Sequence, residues 1–95
     1  GKDHIIANAN IIINERQRLF DELTAMSSLK VFPSQTNFLL IKVDDAKSLF
    51  EFLKANGILV KSFAENPQLS NCIRVTVGDP SENNEFLEQI KNYYG

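Results

Sequence analysis

The sequence predicts an α+β domain in which helices cover one main face of a small sheet of about four strands, in the order helix, strand, strand, helix, strand, strand, helix. Three observations carry this. First, the chain has 95 residues, 43% hydrophobic and 23% charged. That is enough for one core and too little for the two-lobed architecture of most small-molecule enzymes. Second, apolar residues recur at helical spacing in three separate stretches, each with start or stop residues at its ends. Third, the stretches between them are short aliphatic runs bounded by Pro, Ser, Asn and Gly, which read as strands and turns.

The first helix is expected from Asp3 to about Ser27. Ile5, Ile6, Ala9, Ile12, Ile13, Leu19, Phe20, Leu23 and Met26 share its apolar side, and Asp3 is available as the N-cap. Arg16 falls near the centre of that stripe when residues are placed at about 100° intervals. A cation there needs a partner: an ion pair, a stem that snorkels along apolar surface, or a segment outside these residues.

Leu29 to Phe32 is a short extended run ended by Pro33-Ser34, and Asn37 to Val43 is a stronger strand. Asn37, Leu39, Ile41 and Val43 alternate with Phe38 and Leu40, so this strand is apolar on both faces and is expected to be central and covered twice. A domain this small has few elements with which to do that, which points to a neighbouring domain. Asp44 is expected to cap a second helix with Ala46, Leu49, Phe50 and Leu53 inward, and Gly57 follows Asn56 where a left-handed C-terminal residue is wanted. Ile58 to Lys61 reads as a third strand, Ser62 to Asn71 as a polar loop holding Pro67, and Cys72 to Val77 as a fourth strand. In the last helix Asp79 is the N-cap, Pro80 the first helical residue and Glu82 the capping-box partner, with Phe86, Leu87, Ile90 and Tyr94 as the buried stripe.

Composition excludes several function classes. Ten basic residues spread among twelve acidic ones, net charge −2, make no basic stripe along the chain, so nucleic acid is not an expected partner. No apolar stretch approaches the ~20 residues that span a bilayer, so no membrane role is expected. A single cysteine, Cys72, forms neither an intramolecular disulfide nor a multi-thiolate metal site, and a reducing cytoplasm is the expected compartment. His4 has no second ligand at metal spacing, and Cys72 has no histidine beside it and reads as a buried, inert thiol. Asp44-Asp45 and Glu82 are accounted for by helix capping. With one His and four Gly, no phosphate loop, nucleophile elbow or histidine triad can be assembled, and neither a metal site nor catalysis by this chain alone is expected.

What remains is Arg74. Ile73, Val75 and Val77 are expected to face the helices, which sends Cys72, Arg74 and Thr76 to the opposite face. A guanidinium on a strand is a rigid planar fork matched to carboxylate or phosphate, so Arg74 is read either as one half of a structural salt bridge or as an anion-binding residue. Lys61, thirteen residues earlier at the end of the third strand, is either a solvated strand-end lysine or a second cation converging on the same anion.

The segments Phe32-Pro33-Ser34-Gln35-Thr36-Asn37-Phe38, Gly57-Ile58-Leu59-Val60-Lys61 and Cys72-Ile73-Arg74-Val75-Thr76-Val77-Gly78, with Glu82-Asn83, resemble the C-terminal small domain of histidinol-phosphate aminotransferases. These are fold type I, pyridoxal-phosphate-dependent enzymes, and the resemblance runs over essentially all 95 residues. It implies that Arg74 binds the acidic group of the substrate: the phosphate of histidinol phosphate in one half-reaction and the α-carboxylate of glutamate in the other. The family often has a second arginine where this chain has Lys61, which keeps the charge but not the bidentate geometry. The family's cofactor lysine, the aspartate on the pyridine nitrogen and the phosphate-binding residues lie in a preceding large domain. The resemblance therefore implies that residues 1–95 are one domain of a longer two-domain, homodimeric enzyme of histidine biosynthesis, inactive when isolated and binding no pyridoxal phosphate itself. Two alternatives stand beside it: the small domain of a related enzyme such as a threonine-phosphate decarboxylase, and a stand-alone, non-catalytic α+β module for ligand binding or dimerisation. The Val-Thr-Val-Gly-Asp-Pro-Ser-Glu-Asn run favours the aminotransferase.

Overall fold

A computed structural model describes residues 2–95, with side chains from residue 9 onward. The sequence readings of Asp3, His4, Ile5 and Ile6 lie outside the described side chains. Leu19 and Leu23, one turn apart, are fully buried and seat helix α1 (Lys2–Thr24) on the sheet. The helix stops earlier than expected because Met26 donates its N–H to the carbonyl of Leu23 at 3.0 Å, tightening the last turn so that the chain leaves the helix. Strands β1 (Leu29–Val31) and β2 (Phe38–Val43) follow, then α2 (Ala46–Ala55), β3 (Lys61–Ser62), β4 (Cys72–Thr76) and α3 (Pro80–Tyr94).

All pairings are antiparallel and the sheet order is β1-β2-β4-β3. In the β2–β4 register Leu39 faces Val75 and Ile41 faces Ile73. These four are buried with Leu19, Leu23, Leu49, Leu53, Phe86 and Ile90 in one core between sheet and helices. Each such aliphatic side chain contributes about 1.5–3 kcal/mol by leaving water. The expected α+β sandwich is therefore the fold observed, with the helices on one face.

Two further differences have local reasons. The third strand was expected at Ile58 to Lys61, but β3 begins only at Lys61. Gly57 takes φ +82° and the N–H of Ile58 turns back to the carbonyl of Leu53 at 2.8 Å, so this residue closes α2 and is lost to the sheet. The cap of α2 is Asp45 rather than Asp44. Val43 N–H donates to the carbonyl of Asn71 at 2.8 Å, which holds the chain extended to that point, and the Asp45 carboxylate accepts from Ser48 N–H at 3.0 Å. At α3 the expected capping box is present in full: Glu82 N–H donates to Asp79 at 2.8 Å and Asp79 N–H to Glu82 at 3.1 Å.

The second face of the sheet carries Phe38, Leu40 and Lys42 from β2 opposite Thr76, Arg74 and Cys72 from β4. Leu40 is half-buried and Phe38 is 37% exposed, so the chain's own elements cover this face only in part. Cys72 is buried even there, beside the turn in which its N–H donates to the carbonyl of Leu69.

Candidate functional site on the open sheet face

Strand alternation aims Arg74 away from the core, as the sequence predicts. On β4 it lies between two strands, with Leu40 as its register partner on β2 and Lys61 on β3. Directly opposed residues of an antiparallel pair hold their Cβ atoms about 4.5–5.5 Å apart, so the two cations stand side by side on one face. The Arg74 guanidinium carbon sits 4.2 Å from the centroid of the Phe38 ring, and the Lys61 ammonium 5.6 Å from that of Phe63. Among the described residues the ion pairs are Arg18 with Glu15 and Glu22, and Lys91 with Glu22. Arg74 thus has no carboxylate partner among them. No structural salt bridge is formed by Arg74 among the described residues, because none of their acidic side chains lies at bonding distance from it.

The rest of the strand charges follow the same pattern. Lys30 and Lys42 are register partners across β1 and β2, and Lys42 also opposes Cys72, two residues from Arg74 and on its side of β4. The four charged residues within the strands are therefore all cations and all on the open face. Acidic residues lie on the helices, their caps and the loops. Counting along the chain hides this segregation, which appears only once strand register is known. A face of this kind attracts anions, and the Arg74 fork supplies the directional donors.

Arg16 forms no ion pair among the described residues. Its Nη1 donates to the carbonyl of Thr36 at 3.1 Å, just before β2. The expected partner thus lies within this chain and is a backbone oxygen, out of reach of a sequence argument because it sits twenty residues away.

A second polar cluster joins α1 to the start of α3. The buried Asn83 amide donates to the Gly78 carbonyl at 2.8 Å, accepts from Gly78 N–H at 2.9 Å and donates to Glu15 at 3.1 Å. Arg18 grips both oxygens of the same Glu15 at 2.6 and 2.9 Å and reaches Glu22 at 3.0 Å and Asn84 at 2.8 Å. The bond from Arg18 holds the Glu15 carboxyl below its ordinary range against the opposing effect of burial, with Asn83 adding to it, and Glu15 in turn holds the Arg18 guanidinium protonated. No buried side-chain nitrogen or oxygen among the described residues lacks a partner, so this cluster reads as a scaffold. Gly78 belongs to it because a Cβ there would come within 2.8 Å of the capping Glu82 oxygen.

Among the described residues no group of three or more His, Cys, Asp or Glu is placed to hold a metal, and no helix is long and apolar enough to cross a membrane. Phe38 and the pair Lys30 and Lys42 were not singled out from the sequence. Alternation alone places Phe38 on Arg74's side once β2 is known to pair with β4.

The chain belongs to the class I and II aminotransferase family, whose family model matches residues 1–90. It is 43% identical over 93 residues to a histidinol-phosphate aminotransferase of Vesicomyosocius okutanii, covering 98% of this chain and 26% of that protein. It thus spans about a quarter of the length of the curated relatives it matches. Among solved structures, the histidinol-phosphate aminotransferase of Clostridium acetobutylicum superposes with a TM-score of 0.85 at 23% identity, over 97% of this chain and 29% of that one. The Sinorhizobium meliloti enzyme in complex with pyridoxal-5'-phosphate superposes with 0.69 at 25% identity, over 97% and 27%.

The family works with pyridoxal phosphate, and the described residues hold no enclosed lysine of the kind such a site needs. A lysine that holds an aldehyde cofactor needs an enclosed, desolvated position. Among the described side chains every lysine is exposed.

Proposed function

We propose that the chain is the C-terminal, substrate-binding small domain of a longer pyridoxal-phosphate-dependent aminotransferase, acting on histidinol phosphate and 2-oxoglutarate in histidine biosynthesis. The observation that carries this is Arg74: a rigid guanidinium on an inner strand, without a carboxylate of its own among the described residues, next to a second cation at Lys61. The relatives named for this activity supply the substrate class. The large domain of the longer protein holds the cofactor, which supplies an electron sink at the substrate's amino-bearing carbon. Arg74 binds and orients. Its in-plane N–H groups take two oxygens of the phosphate in one half-reaction and of the glutamate carboxylate in the other, and a permanently charged fork serves both anions. Lys61 adds a point charge that strengthens the hold on the doubly charged phosphate more than on the carboxylate. The longer protein is a cytoplasmic homodimer in this reading, and the isolated 95-residue chain is inactive.

Kinetics of the full-length protein test it. Losing a charge-assisted hydrogen bond costs about 1.5–3 kcal/mol, so Arg74→Ala should raise KM for both histidinol phosphate and glutamate about 10- to 100-fold while the cofactor's absorbance is retained. Unchanged KM values would remove Arg74 from the substrate site. Decarboxylation of threonine phosphate without amino transfer would move the chain to the related enzyme.

A further inference from the structure

Arg74 is half-buried on an outward face, yet among the described residues it has neither an ion pair nor a side-chain hydrogen bond. What shields it is the ring of Phe38, 4.2 Å from the guanidinium carbon. Phe38 is the first residue of β2 and opposes Thr76, which makes it the diagonal neighbour of Arg74. A strand's first residue is ordinarily a place where pairing frays, but the backbone that leads into this one is held by several hydrogen bonds. Its own N–H donates to Thr36 Oγ1 at 3.1 Å. Thr36 is locked in turn to Ser34, by an Oγ to Oγ1 bond of 2.8 Å and a backbone N–H bond of 3.0 Å. Arg16 fixes the Thr36 carbonyl from α1, and Val77 N–H donates to the carbonyl of Asn37 at 2.7 Å. The arginine set into the apolar stripe of α1 thus serves the backbone two residues before Phe38.

We infer that Phe38 is a positioning residue for Arg74: its ring, carried on a braced stretch of backbone, lies against the guanidinium and leaves the in-plane N–H donors free for an anionic ligand. A cation over an aromatic ring is attracted to the ring's negative face, and the contact restricts a side chain with many rotamers without using any of its donors. A carboxylate in the same place would orient the fork equally well but would occupy the donors the ligand needs. The ligand class is an oxyanion, phosphate or carboxylate. As to its place in the reaction, the inference rests on the function proposed above, although the Phe38–Arg74 contact itself does not.

The experiment uses the full-length protein with Phe38→Leu, which removes the ring and keeps an apolar side chain, and Phe38→Tyr, which keeps the ring. A half-exposed contact of this kind is worth a few-fold in binding, so Phe38→Leu is expected to raise KM for the anionic substrates about 2- to 5-fold with kcat unchanged, and Phe38→Tyr to restore it. Inorganic phosphate titrated into the same proteins, followed by the Arg74 Nε–H resonance, gives a readout independent of activity. That resonance should carry the ring's shielding in wild type and Phe38→Tyr, lose it in Phe38→Leu, and report phosphate binding weakened by a similar factor. If the protein transfers no amino group yet the resonance and the phosphate affinity change in this way, the proposed function fails and the positioning role stands. The inference is overturned by Phe38→Leu kinetics or phosphate affinity equal to wild type, or by a loss that Phe38→Tyr does not restore.

Discussion

Arg18 and Arg74 differ in what surrounds them, and the difference separates scaffold from site. Arg18 has all its bonds within the chain: both oxygens of Glu15, one of Glu22 and the side chain of Asn84. Arg74 lies on an aromatic ring with its fork uncommitted among the described residues. A charge whose bonds are made inside the fold serves to tie elements together, here α1 to the start of α3. A charge held against an aromatic ring costs desolvation without the return of an ion pair, and it is suited to meet an oxyanion from outside. The same residue type, half-buried in both places, is thus held in two different ways, decided by whether acidic side chains share its surface.

The contrast can be broken most strongly at its scaffold end. Asn83→Leu would strand the half-buried N–H and carbonyl of Gly78 and remove one donor from Glu15. Unsatisfied buried groups cost about 1–3 kcal/mol each, so urea unfolding of the 95-residue chain should show a loss of about 2–4 kcal/mol. A loss below ~0.5 kcal/mol would mean that water replaces the amide and that the cluster is not the scaffold described.

Acid sharpens the comparison next. Because the Glu15 carboxyl is held below its ordinary value in the fold, the unfolded chain takes up its proton at higher pH than the folded one. Its stabilising contribution is complete above the unfolded value, near 4.5, and is lost as pH falls through the folded value. Unfolding measured from pH 7 down to pH 3 should show an acid limb that Glu15→Gln flattens and that Arg74→Ala leaves unchanged. Identical limbs in wild type and Glu15→Gln would place the acid sensitivity elsewhere.

The smallest effect concerns the open face. Lys30 and Lys42 oppose each other across β1 and β2 as like charges. Lys30→Glu should stabilise the chain by about 0.2–1 kcal/mol, and the gain should shrink as salt is added. A gain that persists at high salt would point to packing and not to charge.

Local chemistry was the legible part of this fold. Asp79, Pro80 and Glu82 announce α3 because a capping box is made by residues three apart, and Gly57 marks the end of α2 because a left-handed residue is needed there. Alternation along a single strand was enough to aim Arg74 outward. What the sequence withheld depends on partners distant along the chain. β3 shrank because the N–H of Ile58 is taken by Leu53, Asp45 displaced Asp44 as the cap because Val43 is tied to Asn71, and the partner of Arg16 proved to be a carbonyl. The gathering of Lys30, Lys42, Lys61 and Arg74 and the ring beneath Arg74 needed the β2–β4 and β3–β4 registers, which no residue pattern in either strand specifies.

The central claim is that Arg74 is reserved for a ligand while Arg18 holds the fold. Melting temperature and KM for histidinol phosphate, measured together on full-length Arg74→Ala and Arg18→Met, test it most directly. The account predicts opposite outcomes: Arg74→Ala raises KM by about 10-fold or more with its melting temperature near wild type, and Arg18→Met lowers the melting temperature by several degrees with KM near wild type. An Arg74→Ala protein that melts early and keeps its KM would contradict the account.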